Sequence, residues 1–253
     1  MNMKTLLLGA AASVAIAPAA FGAAHEGERG RDGEVKVIYW QAPSIMTPYL
    51  SGGTKDLEAA SLVLEPMGRY DETGALVPYL ATEIPTVENG GVAEDLKSIT
   101  WKLKEGLVWS DGTPVTSADL KFTAEYCMHP EGGCAQASKF DGVESIDIVD
   151  DLTVTVHFTD AKPNPYGPFM GAQSPIIQAA QFKDCLGAKA PECTEANFSP
   201  IGTGPFRVTD FRPNDVIQME ANPNYRDPSK PAFATLTLKG GGDANAAGRA
   251  VME

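Results

Sequence analysis

The sequence predicts an α/β fold, and three local patterns predict it. Ile99, Trp101 and Leu103 alternate with Thr100, Lys102 and Lys104, the period-2 signature of a strand buried on one face. The same alternation returns in residues 153–158, where Val154, Val156 and Phe158 share one side and Thr153, Thr155 and His157 the other. Between them Asp111-Gly112 makes a turn, and Pro114 limits the next bend. Thr116 then stands at a helix N-cap with Asp119 three residues on. Ala118, Phe122 and Tyr126 follow at fourfold spacing, flanked by Leu120 and Ala124, so a helix is expected to bury that stripe. Residues 103–126 therefore read as one strand–turn–helix unit. It carries no catalytic constellation.

The remaining elements follow in order. Lys4 supplies a short positive region, residues 5–17 an apolar run too short to span a bilayer, and small residues continue to Ala24. Residues 1–24 are expected to be a signal peptide, so an exported, soluble protein is expected. Residues 35–40 (VKVIYW) form a strand candidate, and 41–48 a Pro-rich loop. A helix is expected over 56–64, ending before Pro66, and then a turn at 69–74. Residues 88–95 make a Gly-rich acidic excursion. Residues 140–151 carry Val143, Ile146 and Ile148 in mixed periodicity. After a Pro/Gly-rich stretch at 162–175, a short helix is expected over 176–186. Phe206 and Val208 begin a strand whose hairpin partner is 216–220, across a turn at Pro213-Asn214-Asp215. Residues 222–231 are turn-rich, and 234–238 form a last strand. Asp243 would cap a helix that halts in mid-pattern at Glu253, which reads as the mark of a fragment.

Composition narrows the function. A net charge of −13 argues against a nucleic-acid partner, which calls for a clustered basic surface. Four cysteines fall in two local pairs, Cys127 with Cys134 and Cys185 with Cys193. Even numbers at short spacing in an exported chain point to disulfides, and of three connectivities the local one is expected. The rival is a metal site at Cys127, His129 and Cys134, but it lacks a CxxC knuckle, so no metal is expected. His157 reads as an exposed strand residue. There is no Gly-x-Ser-x-Gly, His-Glu-x-x-His or Walker motif, and no acid/base pair beyond turn carboxylates such as Asp150-Asp151. Gly202-Thr203-Gly204 runs into Pro205 and a strand, so it reads as close packing and not as a phosphate cradle. No catalytic residue and no cofactor are expected.

Three blocks, in order, resemble one family. They are LATEIPTV (80–87) with ITWKLKEGLVWSDGTPVTSADLKFTAEY (99–126), PIGTGPFRV (200–208) and ANPNYR (221–226). Together they resemble the family 5 extracellular solute-binding proteins, the periplasmic peptide-binding components of ABC importers. That resemblance implies a first lobe of the periplasmic-binding-protein type II kind with an inserted α+β subdomain. By similarity, 35–70 and 200–238 belong to the main sheet of lobe one and 71–199 to the inserted subdomain. Residues 240–253 start the crossing to a second lobe that is missing. It also implies a periplasmic monomer that captures a peptide between lobes and passes it to permease subunits in the inner membrane. Candidate cleft residues are Trp40, Gln41 and Ser44 after the first strand, Tyr166, Gln173 and Ser174, and Gly202, Thr203 and Gly204. Alternatives are an oligosaccharide or nickel-complex binder of the same family, or a secreted hydrolase whose catalytic residues lie further on.

Overall fold

The structure, a computed structural model, describes residues 27–240. The expected signal segment and the helix after Asp243 lie outside the described residues. The fold is α/β with two principal sheets.

The first sheet joins the two ends of the described chain. Strand β1 (Glu34–Tyr39) follows a short ordered entry, and α1 (Thr54–Ala60) lies against the sheet. Its other strands come from the far end: β7 (Phe206–Arg212), β8 (Val216–Ala221) and β9 (Thr235–Gly240), in the order β1-β9-β8-β7. The β1–β9 pair is parallel and the rest are antiparallel. Register sets two apolar rows across the sheet. Val37 faces Leu238, which faces Ile217 and then Phe211; Val35 faces Leu236, then Met219 and Val208. These rows pack on Ala59, Leu62, Val63 and Met46. A shift in register between Val208 and Asp210 leaves Thr209 over, so Val208 and Phe211 reach the same face although three apart. Simple alternation from Phe206 does not extend that far for this reason.

The intervening chain builds a second body of structure around a larger core. A short hairpin, β2 (Gly68–Tyr70) and β3 (Leu76–Pro78), leads to β4 (Ser98–Lys102). Helix α2 (Ser117–Met128) precedes β5 (Val143–Asp150) and β6 (Thr153–Phe158). The three-stranded sheet has the order β4-β6-β5, with Ile99 opposite Val156 and Trp101 opposite Val154. The mixed periodicity of residues 140–151 has a cause: shifts after Val143 and after Ile148 break the period of 2.

Helix α2 corrects the expected stripe. Ala118 is exposed and Phe122 only half-buried, while Leu120, Thr123, Ala124 and Cys127 face inward with Tyr126. The polar Thr123 hides the true stripe in the sequence. Its hydroxyl donates to the Asp119 carbonyl at 2.7 Å and accepts from the Ile177 amide at 3.1 Å, which makes it a core residue. The N-cap reading holds: Asp119 Oδ2 accepts the Thr116 amide at 2.9 Å. The helix expected over 56–64 is α1, which starts two residues earlier and ends at Ala60. Of the helix expected over 176–186 only α3 (Ala179–Phe182) forms, and α4 (Thr194–Phe198) comes later. Both expected cysteine pairs are bonded, Cys127–Cys134 at 1.97 Å and Cys185–Cys193 at 2.15 Å. Among the described residues no helix is long and apolar enough to cross a membrane.

Candidate functional site

In open sheets with parallel strands, ligands collect beyond the carboxyl ends of those strands. Here that place is the loop leaving β1, beside the end of β9. Trp40 begins the loop with 65% of its surface exposed, and Gln41 is exposed next to it. Ala42 turns inward beneath Gly240, where a Cβ on the glycine would stand 2.6 Å from the Ala42 methyl. The Pro43 carbonyl accepts the Asn214 amide at 2.9 Å, which ties the loop to the β7–β8 turn.

Ser44 plays an anchoring part. Its amide and hydroxyl donate to the two oxygens of Asp56 at 2.6 and 3.0 Å, and its hydroxyl accepts from Lys55 Nζ at 2.7 Å. Asp56 also accepts from Ser51 Oγ at 2.7 Å and from Lys55 Nζ at 2.9 Å. This buried pair opens α1. Burial by itself would raise the Asp56 carboxyl, but bonds from Ser51, Lys55 and Ser44 outweigh it and hold the group below its ordinary value. Four donors fill the acceptor capacity of Asp56, so the cluster fixes the loop and leaves Trp40 and Gln41 facing outward. Further along, the Met46 amide and Thr47 hydroxyl both donate to the Asn197 carbonyl of α4.

The other sequence-derived candidates fall in different surroundings. Tyr166 is half-buried; its hydroxyl donates to the Pro85 carbonyl at 2.7 Å and its ring meets Trp101 edge-on. Gln173 is exposed. Ser174 is fully enclosed, and its hydroxyl accepts the Phe169 amide at 2.8 Å. Gly202 and Gly204 lie on the backbone that follows α1: a Cβ would stand 1.9 Å from the Val63 carbonyl oxygen at Gly202 and 2.6 Å from that of Leu62 at Gly204. Thr203 Oγ1 donates to the buried Glu65 carboxylate at 3.1 Å.

The sequence blocks at 110–113, 202–206 and 222–226 converge in one joint. The Ser110 amide donates to the Gly202 carbonyl, Asn224 Nδ2 to the Ser110 carbonyl, and Asn222 Nδ2 to the Gly204 carbonyl. Arg226 pairs with Glu65. Burial alone would lower the Arg226 guanidinium, but Glu65 outweighs it and raises the group. These motifs therefore carry architecture.

Beside the joint lies a hollow of 670 Å³, bordered by Gln178, Gln181, Ile201, Thr194 and the Cys185–Cys193 bridge. Gln178 Nε2 also donates to Asp111 Oδ2 and Thr113 Oγ1, both at 3.0 Å. Because α4 both borders this hollow and holds the loop after Trp40, the two surfaces share one support. The glutamines escaped sequence reading, since neutral amides outside any motif leave no pattern. Among the described residues no group of three His, Cys, Asp or Glu side chains is placed to hold a metal.

The family described as bacterial extracellular solute-binding proteins, family 5 Middle, matches residues 75–253. Protein XP55 of Streptomyces lividans is 28% identical over 204 residues, which is 80% of this chain and 34% of that protein. A putative ABC transporter peptide-binding protein of Brucella ovis is 27% identical over 139 residues, 53% of this chain and 25% of that protein. The oligopeptide-binding protein AppA from Bacillus subtilis, solved with a nonapeptide, superposes with a TM-score of 0.76 at 22% identity, over 89% of this chain and 43% of its own. The likeness to AppA concerns the fold. The chain thus spans 25% to 34% of the length of the two curated relatives.

Proposed function

Since the chain belongs to the bacterial extracellular solute-binding proteins of family 5, we propose that it supplies one wall of a cleft that captures peptides. The captured peptide passes to the permease subunits of an ABC importer, and the protein acts as an exported, periplasmic monomer without catalysis. The observation that carries this reading is Trp40, exposed on an anchored loop at the carboxyl end of the β1–β9 pair. An aromatic face held on a fixed loop contributes contact area at little cost in ordering. Extended peptides in such clefts are held through main-chain hydrogen bonds, with side-chain pockets that tolerate variety. Gln41 and the hollow beside Gln178 and Gln181 supply polar groups of that kind. In the same proposal the β1-β9-β8-β7 sheet forms the core of lobe one, and residues 71–199 form its inserted subdomain.

Fluorescence tests the reading directly. Of the three tryptophans, Trp101 and Trp109 are enclosed, so a ligand at the loop reports through Trp40. A pool of di- and oligopeptides is expected to shift Trp40 emission and protect it from a soluble quencher. Trp40→Ala is expected to weaken peptide binding about tenfold, a loss of about 1.4 kcal/mol. Saturable binding of an oligosaccharide pool, with none of peptides, would overturn the substrate assignment.

A further inference from the structure

Around Tyr79, away from the Trp40 loop in sequence, positive charge outnumbers negative. The guanidinium carbon of Arg69 lies 4.4 Å from the Tyr79 ring centroid and that of Arg226 lies 5.5 Å from it. Lys104 Nζ donates to the Tyr79 carbonyl at 2.7 Å. One carboxylate, Glu65, acts on Arg226 and Lys104; it is 1% exposed and already bonded by Arg226 and Thr203.

The cations keep donors to spare. Arg69 Nη2 donates to the Ser61 carbonyl at 3.2 Å, and its Nε is buried without a partner. Apart from the Glu65 bond, the N–H groups of Arg226 meet no acceptor among the described residues, and Lys104 uses one of its three protons. Tyr79 lies beside both guanidiniums, and the Tyr225 ring lies nearer to Arg226, at 4.8 Å. The Lys104 ammonium senses the imbalance: burial, then the Arg226 charge, lowers it below its ordinary value, and Glu65 offsets this only in part. On a chain of net charge −13 such a concentration opposes the average field.

We infer that Arg69, Lys104 and Arg226 around Tyr79 form a binding site for an oxyanion of the phosphate or carboxylate class. The two guanidiniums supply N–H donors and the ammonium a further one, the donor types that oxyanions take. The bound anion bridges the β2–β3 hairpin, the segment after β4 and the 222–226 turn. It therefore stabilises that joint in proportion to its occupancy.

Calorimetry on the full chain with inorganic phosphate, at constant ionic strength set by chloride, tests the site. A saturable one-site isotherm is expected, weakened about tenfold by Lys104→Gln and by Arg69→Gln. Lys36→Gln, which alters an exposed β1 lysine, is expected to bind as the parent does. Arg69→Gln removes a stacked side chain, so Lys104→Gln with an unchanged melting temperature in chloride is the deciding variant. Absence of saturable binding to phosphate and to acetate alike, or undiminished phosphate binding by Lys104→Gln, overturns the inference. Equal weakening by Lys36→Gln also overturns it, because general screening would then explain the heat. Binding to phosphatidylglycerol vesicles that Lys104→Gln abolishes, alongside weaker free phosphate, would identify a lipid headgroup as the source of the oxyanion.

Discussion

Asp56, Glu65 and Asp119 are almost wholly enclosed, and each ties together segments that the sequence keeps apart. Asp119 accepts the Thr116 and Ala179 amides, each at 2.9 Å, so one side chain caps α2 and positions α3. Asp119→Ala would strand both donors and is expected to cost about 2 kcal/mol in a urea titration. Asp56 and Asp119 also respond to acid in opposite directions. Burial lifts the Asp119 carboxyl against its hydrogen bonds, so its contribution is full below the ordinary carboxyl value and is lost as pH rises through the raised folded one. Asp56 is held low, so its contribution is present above the ordinary value of 3.8 and is lost as pH falls through the lower folded value. The parent and Asp56→Asn are therefore expected to differ in urea midpoint at neutral pH and to converge in strong acid. A gap that stays constant with pH would show that the Asp56 carboxyl is not a source of the acid response. The Thr116–Asp119 box was readable because capping spans three positions. Ser44 and Asp56 meet across a loop of irregular backbone, where no period betrays a pair.

At the scale of elements, the two disulfide loops lean on each other. Gly187, at φ +63° in the second loop, sits against the His129 ring at the end of α2, where a Cβ would come within 2.6 Å. Each bridge closes a short loop, so reduction of either is expected to lower stability by ~2 kcal/mol, measurable as a shift in denaturation midpoint with reductant. The 202–204 segment depends on space. Its glycines let the chain lie on the carbonyls of Leu62 and Val63, and Gly202→Ala is expected to cost about 3 kcal/mol through that clash. An alanine variant as stable as the parent would show that the segment can move away. Strand identity was plain in the sequence wherever register ran unbroken, as in β4 and β6. It blurred in β5 and β7, where an extra residue flips the parity of inward positions. Thr123 blurred α2 similarly, since a hydroxyl that satisfies itself inside a core reads as a surface residue.

For the molecule as a whole, local patterns carried the α/β class, while the pairing of β1 with β9 could not be read from either strand. Both are short apolar runs, and nothing in their spacing names a partner at the opposite end of the chain. The motifs that identified the family meet in the joint at Ser110, Gly202 and Asn224. The loop after β1 carries no comparable constraint beyond its Ser44–Asp56 anchor, and so Trp40 stood out only by position. The parallel β1–β9 pair also sets an order of assembly. The hairpins β5–β6 and β7–β8 join neighbours in the chain and are expected to form first, whereas β1 has no ladder partner before Thr235 to Gly240. Pulsed hydrogen exchange during refolding is expected to protect β5 and β6 amides before those of β1 and β9. Translation that stops short of Thr235 would leave an apolar strand with both edges open, which marks that product for aggregation or proteolysis.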